Sequence, residues 1–416
     1  MSPRPATHPN GYRRGLNYNG MMLIEVNNKQ TQKEFLEVPK VLYRNDPNWT
    51  CPLDMEINNI FNPQKNSCFQ HGDAFRWIMK DDQGNLTGRI AAFYDNHKAF
   101  HNPQPTGGIG FFECINDTET ANRLFDTARE WLERQGMQAM DGPINFGENF
   151  VNWGLLTEGF MPQGIGMPYN FPYYKDLFEG YGFKTYFEQY SFHDNFSRPY
   201  PEKMRAFGER LWKKPEFSFR HIDMKNAEKY LRDLVIMYDK VWSDFLENYT
   251  PLKFEDLNAI FQDAKAMLDE RFIWFAYHDD EPVGFLIVFP DIHQVLRKLK
   301  NGRLNFWNIL KLLYFKKKAI NRGRLLLSGV VPEYQRTGLV GGIYLKLTDA
   351  MKACGYKELE LSWVGDYNIT VNRMYSQFGA TKEKTHITYR YLFDRLAPFE
   401  RFNNLSRKFS KDRKKE

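Results

Sequence analysis

The chain has 416 residues, 42% of them hydrophobic and 16% aromatic, with a net charge of +6. That supports more than one packed core, while no apolar run of about eighteen residues is present to span a bilayer as a helix. The four cysteines, Cys51, Cys68, Cys114 and Cys354, have neither metal-ligand spacing nor a paired pattern. The expectation is therefore a reduced, cytoplasmic protein without a metal.

Residues 1–20 are polar, basic and rich in Pro and Gly, without an apolar core. They read as a disordered leader rather than a secretory signal. Further on, residues 74–93 (AFRWIMKDDQGNLTGRIAAF) and 271–289 (RFIWFAYHDDEPVGFLIVF) share one pattern. Each has two β-rich runs around an acidic turn, with Gly88 or Gly284 entering the second run. Each half then carries a Tyr-containing helical stretch ending at glycine, Gly182 or Gly379, at nearly the same interval. Hairpin, helix and glycine in matching order predict an internal duplication. The N-terminal half is expected over 21–200 and the C-terminal half over 215–396, with a basic tail at 397–416.

Between the N-terminal strand 109–115 and its helix stand Asp117 and Glu119. These are ordinary helix-start residues that would repel an anion. The following segment, 141–174, is long, aromatic and rich in Gly, Pro and Asn, with no clean period. Loops of this length are usually functional. Asn149, Tyr169, Asn170, Tyr173 and Tyr174 are expected either to line a substrate cleft between the halves or to fill their interface.

The C-terminal half reads as two helices (227–246 and 254–268), the hairpin 272–289, a strand at 325–331, a helix at 341–354, a strand at 358–364, a helix at 368–377 and a last strand at 385–392. An insert at 291–324 interrupts it. No acidic residue stands between Asp291 and Glu333, and ten basic ones are interleaved with Phe306, Trp307, Tyr314, Phe315 and several leucines. Such a stretch suits an anionic membrane surface through 295–324, an RNA backbone, or plain packing with solvated lysines; nucleic acid is the weakest of the three.

The most informative segment is VPEYQRTGLVGGIY, 331–344. A strand feeds a glycine-containing turn that opens a helix, which aims backbone N–H groups and a helix dipole at one spot. Val330, Val331, Gln335, Arg336, Thr337, Gly338, Leu339, Val340 and Gly341 form this candidate phosphate site. The pattern resembles the pyrophosphate loop of the GCN5-related N-acetyltransferase (GNAT) superfamily, Gln/Arg-x-x-Gly-x-Gly/Ala. Gln335 and Gly338 fit it, Val340 departs from it, and Gly341 and Gly342 come one step late.

The resemblance implies an α/β fold with a mixed sheet, as two tandem acyl-CoA N-acyltransferase-like domains of which the first is degenerate. It implies transfer of an acyl group from acetyl-CoA or a longer acyl-CoA to an amine. It assigns Tyr375 as the acid that protonates the leaving thiolate, and Asn368 and Asn372 to the cofactor side of the same helix. Asp366 is the expected base, or else a cap for that helix; Glu360 and Ser362 are weaker alternatives. With the basic aromatic insert, the chain is similar to bacterial lipid N-acyltransferases of the ceramide-synthase-like group. That implies a lipid-like amine and a peripheral place on the inner membrane face. Aminoacyl-tRNA-dependent (Fem-like) transferases and non-catalytic binding proteins share the tandem fold and stay open as alternatives.

Overall fold

The computed structural model describes residues 16–402, apart from 19, 102, 149–150, 244–250, 266, 300–301 and 304. In chain order the strands are β1 (Leu16–Tyr18), β2 (Met21–Glu25), β3 (Gly72–Lys80), β4 (Leu86–Asp95), β5 (Thr106–Cys114), β6 (Ala139–Gly142), β7 (Leu155–Glu158), β8 (Lys184–Asn195), β9 (Phe217–His221), β10 (Ile273–His278), β11 (Glu281–Pro290), β12 (Arg322–Val330), β13 (Glu358–Gly365) and β14 (Thr381–Leu392). The leader, Asn149 and most of the basic tail lie outside the described residues.

Both expected hairpins form. At β10–β11, Asp279 and Asp280 both take positive φ (47° and 65°), the two-residue turn whose twist matches paired strands. At β3–β4, Asp81 accepts from the N–H groups of Gln83 and Asn85, and Gly84 takes φ +83°. Each half also has a strand ahead of its helices, β2 or β9, that the sequence reading lacks. A helix at Glu202–Trp212 fills the stretch between the halves.

All strands join one sheet in the order β1-β2-β3-β4-β5-β6-β14-β8-β13-β12-β11-β10-β9, with β7 also on β14. Two consequences shape the molecule. Each half has a single parallel pair, β5–β6 or β12–β13, as a right-handed crossover through a helix requires. Each half also sends its last strand across the midline. β8, from the N-terminal half, pairs with β13, while β14, from the C-terminal half, pairs with β6. β8 and β14 pair with each other at the centre.

The duplication extends to individual residues. Phe183 N donates to Phe178 O and Ala380 N to Tyr375 O, each at 3.1 Å, around Gly182 (φ +108°) and Gly379 (φ +88°). This helix-ending bond makes Phe178 the counterpart of Tyr375. Gly88 pairs with Cys114 and Gly284 with Val330, so Phe112 is the counterpart of Ser328.

Candidate active site

β12 ends at Val330, and the chain turns through Pro332–Tyr334 into the helix Leu339–Ala353. Within this turn Tyr334 N, Gln335 N and Thr337 N are bonded to Val331 O, Pro332 O and Tyr334 O. Arg336 (φ +65°) and Gly338 (φ +82°) reverse the backbone, and Gly338 caps the helix with no side chain to offer. Among the described residues, no acceptor meets the N–H groups of Arg336, Gly338, Leu339, Val340 or Gly341. They stand at the positive end of a 15-residue helix whose first turn holds Leu339, Val340 and Gly341; Arg336 is exposed, Gly338 and Val340 are half-buried, and Leu339 and Gly341 are buried. That arrangement suits a diphosphate. The matching turn of the N-terminal half is closed instead: Asp117 caps its helix, accepting from Thr120 N (2.7 Å) and Thr120 Oγ1 (2.6 Å).

The irregular glycine spacing has a packing cause. The half-buried Val340 side chain packs against the C-terminal core. Gly341 and Gly342 face Met204, Leu211 and Phe219, and a Cβ on Gly208 of the helix Glu202–Trp212 would stand 3.4 Å from Gly342 Cα. The two helices pack closely because neither has a side chain there. Gln335 reaches back to Val330 O (3.2 Å), and Val331 N is bonded to Val283 O.

Parallel pairing of β12 with β13 runs from Arg322–Glu358 to Leu325–Leu361 and then stops. Beyond it β12 stays with β11 as far as Val330, and β13 leaves with β8. Tyr375, on the helix Ile369–Gln377, sits at this parting, its hydroxyl against Ser328 and its ring edge-on to Phe192 at 5.5 Å. Burial pushes the phenol up to about 12 against the opposing Ser328 hydrogen bond, so it is a proton donor at neutral pH. The N-terminal counterpart is an edge-on contact of Phe112 and Phe178, 5.2 Å between ring centres, with no acid group.

The other expected residues take structural positions. Asn368, not Asp366, caps the last helix, accepting from Val371 N at 3.2 Å. Asn372 donates to Gly365 O and Asn368 O, both at 2.9 Å. Asp366 is held by Arg401 (2.5 Å) and accepts from Glu188 N (3.3 Å), fastening β13 to β8. Tyr169 donates to Asp46 (2.8 Å), Tyr173 to Cys114 O (2.7 Å) and Tyr174 to Glu113 (2.9 Å). Asn170 brackets Leu156 through its N–H and C=O. Their rings close the end of β5 in the N-terminal half, where Tyr43 stacks on Phe171 at 4.4 Å. A separate trio, His71, Asp95 and His97, places its ligand atoms within 4.8 Å of one another, but Asp95 Oδ1 already accepts from His71 Nδ1 and His97 N.

Sequence reasoning missed the seam where β8, β14 and β13 meet. Ser191 and Phe192 are consecutive, so Ser191 faces away from Tyr375. On that face Gln189 lies beside His386 and Ser191 beside Lys384. Lys384 Nζ stands 3.3 Å from Glu360 Oε2, and Arg324 Nε donates to Ser362 Oγ at 2.8 Å. Residues 153–168 cover it. The Arg324 guanidinium lies 4.5 Å over the Trp153 ring and bonds Ile165 O, and Ile165 N donates to Asp291, the partner of Arg322. Burial alone would raise the Glu360 carboxyl, but Lys384, Arg322 and Arg324 hold it at about 2. Burial drives the His386 imidazole down to about 3. Two advance signals existed: Glu360 and Ser362 on one face of β13, read above as weaker candidates for the base, and the polar alternation of Lys384, His386 and Thr388 on β14.

Residues 234–380 match the model of the acetyltransferase (GNAT) family. A protein named bacterial ceramide synthase, from Caulobacter vibrioides (strain NA1000 / CB15N), is 27% identical over 383 residues, covering 89% of this chain and 97% of its own. Protein YghO of Escherichia coli (strain K12) is also 27% identical over 383 residues, covering 90% of this chain and 96% of its own. Among solved structures, a tandem GNAT protein from the clavulanic acid biosynthesis pathway superimposes with a TM-score of 0.54 at 10% identity, over 91% of this chain and 100% of that one. A GCN5-related glucosamine N-acetyltransferase region of a fungal multi-domain β-N-acetylglucosaminidase gives 0.54 at 14% identity, over 89% of this chain and 38% of that longer one.

Proposed function

Residues 234–380 are a GNAT-family domain within a tandem acyltransferase fold, which makes the chain an N-acyltransferase, and from that premise we propose that it moves an acyl group from acyl-CoA to a lipid-like amine at a membrane surface. In this reading the diphosphate rests on the free amides of Arg336 and of 338–341, and the thioester enters the gap between β12 and β13. The amine nitrogen attacks the thioester carbonyl carbon. The C–N bond forms, the C–S bond breaks, and the Tyr375 hydroxyl gives its proton to the departing sulfur. The proton lost by nitrogen passes to solvent, which reprotonates Tyr375. Asp366, fastened by Arg401, is given no part in this step. The N-terminal half (21–200) has a capped helix and a Phe–Phe contact where the C-terminal half (215–396) has free amides and Tyr375, so only the latter is assigned a donor site.

Two observations support the lipid reading. A relative bears the name bacterial ceramide synthase. The helix Phe306–Ala319 also leaves Phe306 (68% exposed), Trp307 (70%) and Tyr314 (64%) in solvent, within the acid-free basic run. Large aromatics beside lysines suit an anionic interface. Not all ten basic residues are free for it: Arg322 pairs with Asp291, Arg324 is buried in the seam, and Arg303 pairs with Glu37 (3.2 Å). The attachment we propose is peripheral, on the inner membrane face; no helix among the described residues is long and apolar enough to cross a membrane.

The single observation that carries the reading is the uncapped amide cluster on the same half as Tyr375. Calorimetry with palmitoyl-CoA and acetyl-CoA tests it. Saturable binding of either, tighter for the palmitoyl thioester, is expected; no binding of either overturns it.

A further inference from the structure

Five side chains on the seam each carry a buried polar atom with no hydrogen-bond partner: Trp153 Nε1, Gln189 Nε2, Ser191 Oγ, Glu360 Oε1 and His386 Nδ1. Their residues are at most 1% exposed. An isolated orphan of this kind is a packing cost, but four on one sheet face and a fifth on the segment covering it are not what folding alone selects, because each is costly to bury unpaired. Their bonded atoms also fix what the free ones offer. His386 Nε2 faces Pro168 O at 3.3 Å; a carbonyl only accepts, so Nε2 carries the hydrogen and Nδ1 presents a lone pair. Thr388 Oγ1 holds Gln189 Oε1 at 3.0 Å, which leaves the amide NH₂ free to donate. Lys384 takes Glu360 Oε2 and leaves Oε1 as an acceptor on a carboxylate. The set therefore offers two acceptors (Glu360, His386), two donors (Trp153, Gln189) and a hydroxyl that does either (Ser191).

We propose that this seam binds the polar head of the acyl acceptor, an amine with a neighbouring oxygen function. Glu360 and His386 accept from its N–H and O–H groups, and Trp153 and Gln189 donate to its oxygen. The inference rests on the acyltransferase reading and adds a location and a chemistry to it. The seam lies across the sheet from Tyr375, on the side that the helices Leu339–Ala353 and Ile369–Gln377 leave open, so donor and acceptor reach the parting of β12 and β13 from opposite faces. It is also composite. Gln189 and Ser191 come from the N-terminal half, and Glu360 and His386 from the C-terminal half. A half with no donor site of its own is thereby required for the acceptor site. The cap over the seam is glycine-bearing, with Gly154, Gly159 and Gly166 at positive φ, and a Cβ on Gly154 would stand 2.5 Å from Gln189 Oε1.

Trp153→Phe and Ser191→Ala test this, since each removes one orphan atom and breaks no bond found in the structure. The probe acceptor is sphinganine, a long-chain 2-amino-1,3-diol, with palmitoyl-CoA as donor. Each variant is expected to raise the sphinganine KM on the order of tenfold, one hydrogen bond to ligand, while palmitoyl-CoA affinity holds within twofold. The melting temperature of Ser191→Ala should stay level or rise, because a buried unsatisfied group has been deleted, whereas Trp153→Phe also leaves a cavity and should melt a few degrees lower. Hydrogen exchange of residues 153–168 should slow when sphinganine is added to the wild-type protein. An unchanged KM in both folded variants, or unaltered exchange in a protein that binds palmitoyl-CoA, overturns the seam assignment alone. Failure of the wild-type protein to bind any acyl-CoA overturns the enzyme reading instead.

Discussion

Replacing Tyr375 by Phe removes one oxygen from a buried position at the parting of β12 and β13, and its consequences for stability and for rate differ sharply. Folding loses the hydrogen bond to Ser328, a net contribution of about 1 kcal/mol. Ser328 is itself only half-buried, so its hydroxyl can find water, and the ring keeps its contact with Phe192. The melting temperature should therefore fall by only a few degrees. Catalysis loses the proton donor to the leaving thiolate. General-acid assistance of this kind is worth about 10²–10⁴ in rate, or about 3–5 kcal/mol of barrier. The assay is release of free CoA thiol under saturating palmitoyl-CoA and amine, with palmitoyl-CoA affinity measured in parallel by calorimetry. The expected result is a kcat at least a hundredfold lower with donor affinity unchanged. Because burial holds the phenol at about 12, any basic fall in kcat below pH 10 belongs to another group and should persist in the variant. A folded Tyr375→Phe protein with kcat within fivefold of the parent would refute the assignment.

Gly338→Glu places a carboxylate where the diphosphate is proposed to rest. At φ +82° a side chain costs about 1–2 kcal/mol, partly offset by a negative charge at a helix N-terminus. The fold should survive while calorimetric palmitoyl-CoA binding disappears. Acid stability should depend on the seam. His386 has a folded pKa of about 3, below its unfolded value near 6.5, so its neutral form stabilises the fold fully above pH 6.5. That contribution is lost as pH falls from 6.5 towards 3, at about 1.4 kcal/mol per unit. Glu360, held at about 2, adds a second loss as pH drops below about 4.5. His386→Gln should flatten the melting temperature between pH 6.5 and 4, and an unchanged profile would contradict the burial argument. On the insert, Phe306→Ser with Trp307→Ser should lower sedimentation with phosphatidylserine vesicles on the order of tenfold or more, since each large apolar side chain buried is worth about 2 kcal/mol. Equal sedimentation of parent and double variant would remove the membrane role from this helix.

Much of this protein is legible in its sequence because the signals are local. The acidic hairpin turns, the helix-ending glycines Gly182 and Gly379 and the uncapped helix start at Gly338 each depend on a few consecutive residues, and each forms where the residue types require. The contrast between halves is equally local, since the Asp117 side chain caps one helix and the Gly338 cap of the other has no side chain to give. Three things had to wait for the tertiary structure. Gly341 and Gly342 look like a displaced phosphate motif until the helix Glu202–Trp212 is seen lying against them. The tyrosines of 169–174 read equally as a substrate lining or as filler between the halves, and only the structure shows their hydroxyls bonded within the N-terminal half. The seam is invisible in one dimension, because it depends on β8 and β14 having crossed between halves, bringing together Gln189 and Thr388 from 199 positions apart. Alternation along a strand fixes which side chains share a face, but it does not name the neighbouring strand. In a duplicated chain either last strand offers its neighbours the same pattern, and only packing of the whole sheet decides between them.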